Sequence, residues 1–217
     1  MDRAVIFDMD GVIFDSERAV YNGWVELSRK YGFRDLDEVY IKCIGVNAAA
    51  TRQIFLAHYG ADFPYDRYRQ EQSENYHRRY DGGLLPLKPG IRELLAFLKN
   101  EGYGTAIASS TRSAVVIRQI EDAGLAPFFE AVIGGETIAA GKPAPDIFLE
   151  AARRLGAAPA DTFVIEDSYN GIRAACAGGF IPIMVPDMLP PDDEMRRKAR
   201  RIFRDLTEVR AFFEKRD

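Results

Sequence analysis

Cysteine and histidine are scarce in this chain, with two of each among 217 residues. Cys43 and Cys176 lie far apart and without metal-ligand spacing, so both read as reduced thiols rather than a disulfide framework or a zinc site. His58 and His77 have no second histidine at ligand spacing, and both read as structural. No apolar run approaches the roughly 18 residues of a membrane span, and the start lacks the basic-then-apolar pattern of a secretory signal. The expectation is therefore no membrane and a cytoplasmic location. Excess positive charge is missing too: the net charge is −4, which gives no general attraction to nucleic acid or anionic lipid. The stretch YDRYRQEQSENYHRRY (65–80) interleaves aromatics with charges of both signs and reads as an amphipathic helix rather than a nucleic-acid surface. Internal repeats and low-complexity segments are absent as well.

What remains is an ordinary globular composition, 47% hydrophobic and 29% charged. Short apolar runs alternate with amphipathic patterns. The runs are AVIF (4–7), TAIAS (105–109), AVIGG (131–135), TFVIE (162–166) and IPIMV (181–185), with helical patterns near 90–101, 112–123, 144–155, 170–177 and 192–200. Strands that are apolar on both faces and alternate with helices predict an α/β fold with a parallel sheet covered on both sides. Residues 16–85 break the alternation, because they carry helical patterns and no convincing strand. A βα connection needs only a few residues, so this segment reads as an inserted helical domain. Its expected hinges are Ile13–Ser16 and the glycine- and proline-bearing stretch 82–90. It departs from the C-terminal end of the first strand, the edge where ligands bind in open α/β sheets, and is placed to act as a lid.

Polar groups gather where the strands end. The first strand runs into Asp8 and Asp10, with Gly11 permitting a curl. The second ends in Ser109-Ser110-Thr111 at the start of a helix, where free N–H groups favour an anion and where Ser110 or Thr111 can cap the helix while Ser109 faces the site. Lys142 precedes another helix. The fourth strand runs into Glu166 and Asp167, two adjacent acids that are costly at the end of a buried strand unless paired or bound to a cation. Carboxylate oxygens in that number suit a hard cation such as Mg²⁺. Together the groups suit holding a phosphate dianion against Mg²⁺ and attacking it.

DMDGVIFDSE, the ASST strand end, GKPAPD and VIEDSYNGIRAACAGG, in that order, resemble the four motifs of the haloacid dehalogenase superfamily, in its β-phosphoglucomutase and phosphoglycolate phosphatase-like branch. The resemblance covers residues 4 to about 186 and implies a Rossmann-like core (1–15 and 86–217) with an inserted helical cap (16–85). It implies that Asp8 is a nucleophile forming an aspartyl-phosphate and that Asp10 is the general acid and then base. Ser109 and Lys142 would contact the phosphoryl group, with backbone N–H groups near Met9, Asp10 and Ser110. Mg²⁺ would be held by Asp8, the Asp10 carbonyl and Asp167, with Glu166 a further or water-mediated ligand. Dehalogenases of the superfamily lack the second acid, so Asp10 argues against dehalogenation. β-Phosphoglucomutases carry histidine where this chain has Val20, a side chain that cannot hydrogen-bond, so hydrolysis is favoured and a sugar-phosphate mutase is the alternative. Many phosphatases of the branch carry proline where this chain has Arg18, which says little about the reaction. Specificity is expected from Lys42, Gly45, Asn47 and Arg52, where family members keep a specificity loop. The expected substrate is a small phosphorylated metabolite acted on by a monomer.

Overall fold

Alternation along each strand decides which helices it meets. In the computed structural model, which describes residues 3–44 and 48–215, six parallel strands form one sheet. They are β1 (Ala4–Phe7), β2 (Gly104–Ser109), β3 (Ala131–Gly134), β4 (Thr162–Glu166), β5 (Ile181–Met184) and β6 (Arg201–Ile202), in the order β3-β2-β1-β4-β5-β6. Register pairs Phe7 with Ile107 on one side and Ile165 on the other. Val5, Phe7, Ile107, Phe163 and Ile165 therefore point to one face, while Ala4, Ile6, Ala106, Ala108 and Val164 point to the other.

The first face is bulky. It buries Leu94, Leu95 and Leu98 of α5 (Ile91–Asn100), Val116 and Ile120 of α6 (Ser113–Asp122), and Val209 and Phe213 of α10 (Leu206–Glu214). The second face is lined with alanine and takes α7 (Asp146–Leu155) and α8 (Tyr169–Ala177) through Ala151, Ala152, Ala174 and Ala175. Small side chains on both sides let these helices approach the sheet closely. The helix expected near 192–200 is α9 (Asp193–Lys198), and it stops as Ala199 turns extended toward β6.

Two elements were not anticipated. β6 has two residues, too few to show a period. Helix α10 did carry a signal, with Asp205 accepting from the Thr207 and Glu208 N–H groups and buried Leu206, Val209 and Phe213 at helical spacing.

Between β1 and α5 lie α1 (Ser16–Tyr31), α2 (Leu36–Tyr40), α3 (Ala48–Tyr59) and α4 (Tyr65–Tyr80), with no strand among the described residues. They share a hydrophobic cluster of their own that includes Trp24, Leu27, Val39, Phe55 and Tyr65. Met188, from the loop after β5, packs against it from the sheet side. The outgoing and returning chains run side by side: Asp15 N–H donates to the Pro86 carbonyl and Lys88 N–H to the Ile13 carbonyl, each at 2.9 Å.

Candidate active site

The first strand ends where the sheet's hydrogen bonding ends. Asp8 N–H still donates to the Ile165 carbonyl at 3.0 Å, which holds Asp8 beside β4. Gly11, at φ +79°, then turns the chain back. A β-carbon at Gly11 would run into the Asp167 carboxylate, so only glycine allows the two motifs to approach. Gly171 in α8 makes room within the fourth motif, where a β-carbon would overlap the carboxylate of Glu166.

Asp8, Glu166 and Asp167 are all buried, and one oxygen from each lies within 4.8 Å of the others. Of the described residues, a single cation stands among them. Lys142 Nζ donates to Asp8 Oδ1 at 2.5 Å, Glu166 Oε1 at 2.6 Å and the Ala108 carbonyl at 3.2 Å, and it lies 4.9 Å from the centre of the Phe148 ring. Burial works against this ammonium, but Asp8 and Glu166 outweigh it and raise its pKa. Glu166 uses its second oxygen to accept from Ser168 N–H at 2.8 Å, so both of its oxygens are engaged by protein.

Asp167 is different, since no described residue donates to its carboxylate. Burial, followed by repulsion from Glu166 and Asp8, raises its pKa well above the usual carboxylate range. Burial likewise lifts Asp8 to about 8 against the pull of Lys142. Three buried carboxylates facing one ammonium are under-compensated. An all-oxygen cluster of that charge fits a hard divalent cation.

Asp10 is stabilised by another route. Ser16 Oγ donates to its Oδ1 at 2.6 Å and Thr111 Oγ1 to its Oδ2 at 3.0 Å. The two aspartates of the opening motif are therefore separately satisfied, one by an ammonium and the other by hydroxyls.

A cavity of about 590 Å³ opens above these groups, lined by Asp8, Asp10, Ser110, Thr111, Lys142 and Asp167, and also by Glu17 and Cys43. Ser109 and Met9 sit behind the lining, each 1% exposed, and the Ser109 hydroxyl accepts from Thr111 N–H at 3.0 Å. Neither Ser110 nor Thr111 caps α6, which starts after Arg112 without a side-chain cap.

The residues expected to set specificity are placed elsewhere. Gly45 and Asn47 lie outside the described residues. Lys42 is exposed in a short 3₁₀ turn (Ile41–Cys43). Arg52 makes a two-pronged ion pair with Asp66 of α4, at 3.0 and 3.1 Å. Neither Lys42 nor Arg52 lines the cavity; Cys43 does.

Four residues near the site were not read from the sequence as parts of it, although Thr111 was read as a possible helix cap and Ser16 as part of a hinge. Ser16 and Thr111 orient Asp10. Glu17 is half-buried, and burial, then repulsion from Asp10 and Asp187, raises it to about 7. Asp187 is paired with Lys88 at 2.7 Å through Oδ1, while its buried Oδ2 has no hydrogen-bond partner among the described residues. The DSE that follows the first motif offered a signal for Ser16 and Glu17. Asp187 lies far along the chain in a loop and offered none.

A family profile for haloacid dehalogenase-like hydrolases matches residues 3–179. The chain is similar to a phosphorylated carbohydrates phosphatase of Thermotoga maritima, at 29% identity over 82% of each chain. It is also similar to the β-phosphoglucomutase of Bacillus subtilis, at 35% identity over 84% of this chain and 83% of that one. Among solved structures it resembles a HAD family hydrolase from Deinococcus radiodurans R1 with bound phosphate and sodium. There the TM-score is 0.81 and the identity 28%, covering 98% of this chain and 95% of that one.

Proposed function

The chain belongs to the haloacid dehalogenase-like hydrolases, and from that membership and the groups at the sheet edge we propose a Mg²⁺-dependent phosphatase that hydrolyses a small phosphorylated metabolite through an aspartyl-phosphate on Asp8. The observation that carries the reading is the buried triangle of Asp8, Glu166 and Asp167 closed by Lys142 at the floor of an open cavity.

Lys142 engages Asp8 Oδ1, which leaves the second carboxylate oxygen to attack phosphorus while the ammonium offsets charge on the phosphoryl oxygens. Glu166 aims the ammonium and acts as a positioning residue. Asp10, aimed by Ser16 and Thr111, gives its proton to the leaving oxygen as the ester bond breaks. It then takes a proton from the water that attacks the aspartyl-phosphate, so that phosphate leaves and Asp8 is restored. Ser109, Ser110 and backbone N–H groups near Met9 and Asp10 are proposed around the phosphoryl group. Asp8, Asp167 and the Asp10 carbonyl would hold Mg²⁺, with Glu166 behind them. When bound, the ion supplies positive charge that lets a carboxylate approach an anionic phosphate.

Residues 16–85 are proposed as a cap over a core of 1–15 and 86–217. Their separate aromatic cluster and the paired linkers at Asp15–Pro86 and Ile13–Lys88 support this. The mutase reading draws on the β-phosphoglucomutase relative. Val20 offers no hydrogen bond to a sugar phosphate, which favours hydrolysis.

The test is phosphate release from a panel of phosphorylated metabolites with Mg²⁺ and with chelator, for wild type and Asp8→Asn. The expected result is turnover that needs Mg²⁺ and falls at least a thousandfold in the variant. Turnover that survives in Asp8→Asn would remove Asp8 as nucleophile, and isomer formation without phosphate release would shift the reading to the mutase.

A further inference from the structure

Six of the nine residues from 196 to 204 are lysine or arginine and none is acidic, in a chain whose net charge is −4. They span the last turn of α9, the link to β6, β6 itself and the turn after it. Three of them suit the helix macrodipole at the end of α9, and a charge on β6 guards the edge of the sheet against pairing. Neither reason requires cations to share a cavity. Arg197, Lys198 and Arg200 do share one, an open cleft of about 550 Å³ that is otherwise lined by Phe180, Ile181, Pro182 and Ala199. That volume is within the roughly 300–1,000 Å³ of small-molecule sites.

The platform under these cations is fixed. Met195 is fully buried in a cluster with Ile172 and Met184, and the Arg200 N–H donates to the Pro182 carbonyl at 2.8 Å. Arg173 of α8 holds Glu194 with a two-pronged pair at 2.9 and 2.5 Å. Glu194 is thereby occupied, and it reaches Arg197 and Lys198 only at longer range. Arg204 is paired as well, with Asp205 and Glu208. Among the described residues, Arg197, Lys198 and Arg200 have no ion-pair partner, and no acidic side chain lines the cleft.

The cleft stands apart from the edge that carries Asp8 and Lys142. Ile181 begins β5 and lies three residues, about 10 Å, before Met184, the register partner of Glu166. Ligands of open α/β sheets bind beyond the carboxyl ends of the strands, so a cationic cleft at the amino ends does not belong to that site.

A lining of cations and apolar groups calls for a ligand with the same two parts. Adjoining phosphates match three cations with no acid between them, and a flat ring matches guanidinium and aliphatic surface. A membrane is a poor match, because Phe180 and Pro182 are buried and none of the exposed large apolar residues comes from this segment. A long nucleic-acid backbone would meet exposed Asp192 and Asp193 at the other end of α9.

We propose that this cleft binds a nucleoside di- or triphosphate, with the phosphates held by Arg197, Lys198 and Arg200 and the base against Ile181 and Pro182. The site is independent of the phosphatase reading.

The experiment is calorimetry on the full chain in EDTA, which removes metal-bridged binding at Asp8, Glu166 and Asp167. The probes are ADP, ATP, adenosine and tripolyphosphate. ADP and ATP are expected to bind one to one with Kd below about 0.1 mM, tripolyphosphate at least fivefold more weakly than ATP, and adenosine not measurably. Arg197→Ala and Arg200→Ala should each weaken ATP at least fivefold, and the double variant at least twentyfold. These side chains are exposed, so cooperative thermal unfolding should be unchanged, and phosphate release with Mg²⁺ should stay within twofold of wild type. No binding of ATP, or equal binding to the double variant, would overturn the site. Equal affinity for tripolyphosphate and ATP would overturn the nucleotide. A single strand of about twelve nucleotides that binds at least tenfold more tightly than ATP would overturn a small-molecule site in favour of nucleic acid. Absence of phosphate release from wild type with these binding ratios intact would count against the phosphatase reading alone.

Discussion

The sheet region and the helical insertion bury their apolar surface with different chemistry. One sheet face uses small residues, with Ala106, Ala108, Ala151, Ala174 and Ala175 all fully buried, and the other is filled mainly by leucine, valine and isoleucine with a few rings. The insertion uses rings. Trp24 lies with its centroid 4.6 Å from Phe55 and 5.6 Å from Tyr65, and Phe33, Tyr59, Phe63 and Tyr68 form a second group around it. Alanine against a parallel sheet fixes helix positions closely, because any added carbon meets backbone. The edge that carries Asp8, Lys142 and Glu166 benefits, since their hydrogen bonds tolerate shifts of only a few tenths of an ångström. Aromatic packing contributes large area per residue. In the proposed function the sheet edge carries the chemistry and the insertion covers it.

The sharpest way to break that division is to remove the cation from the chemical half. Lys142→Met leaves Asp8, Glu166 and Asp167 without their ammonium. Breaking a buried pair of this kind costs about 3–5 kcal/mol, and loss of the charge at the phosphoryl group should lower kcat by about 10²–10³-fold. Phosphate release and thermal unfolding measure the two effects. A kcat within tenfold of wild type would place the phosphate elsewhere.

Trp24→Ala tests the other half. Truncation of a buried tryptophan costs about 3–5 kcal/mol, and here the loss should fall on α1–α4 alone. Hydrogen exchange would then show amides of α1 and α4 losing protection while β1, β2 and β4 keep theirs. Equal loss in both regions would mean that they unfold as one unit, and the comparison above would fail as an energetic statement.

The same contrast governs how much could be read from the chain. Strand ends were legible because an apolar run that stops at a charged residue has few structural explanations, and β1 and β4 stand at the residues expected. Motif order then placed Asp8, Lys142, Glu166 and Asp167 at one edge, where the structure brings them within contact distance. Hydroxyl assignments were less legible. Ser109, Ser110 and Thr111 have interchangeable chemistry, and only the fold shows that Thr111 reaches Asp10 while Ser109 turns inward. The insertion was legible as helices but not as a surface. Lys42 and Arg52 stood out as cations, yet a charge that pairs locally, as Arg52 does with Asp66, is indistinguishable in sequence from one that meets a ligand. Glu17 went unnoticed because its meaning depends on Asp187, 170 positions later.

Glu17 also supplies the smallest predicted effect, and it sharpens the boundary between the halves. Its carboxyl is raised from 4.5 to about 7 by burial and by Asp10 and Asp187, and it presses in turn on Asp167, Tyr40 and Tyr76. A carboxyl whose folded pKa lies above its unfolded value favours the protonated fold. Its contribution is complete below about pH 4.5 and is lost as pH rises through about 7. Glutamine keeps the neutral shape at every pH. Metal-free Glu17→Gln should therefore match wild type near pH 5 and exceed it at pH 8. With partial exposure discounting the shift, the gain is about 1–2 kcal/mol, or about 2–8 °C in Tm for a chain of this size. Asp8 and Asp167 impose their own slope, but it is common to both proteins, so the difference between their Tm–pH curves isolates Glu17. A flat difference from pH 5 to 8 would mean that Glu17 is solvated and feels neither burial nor the charges of Asp10 and Asp187.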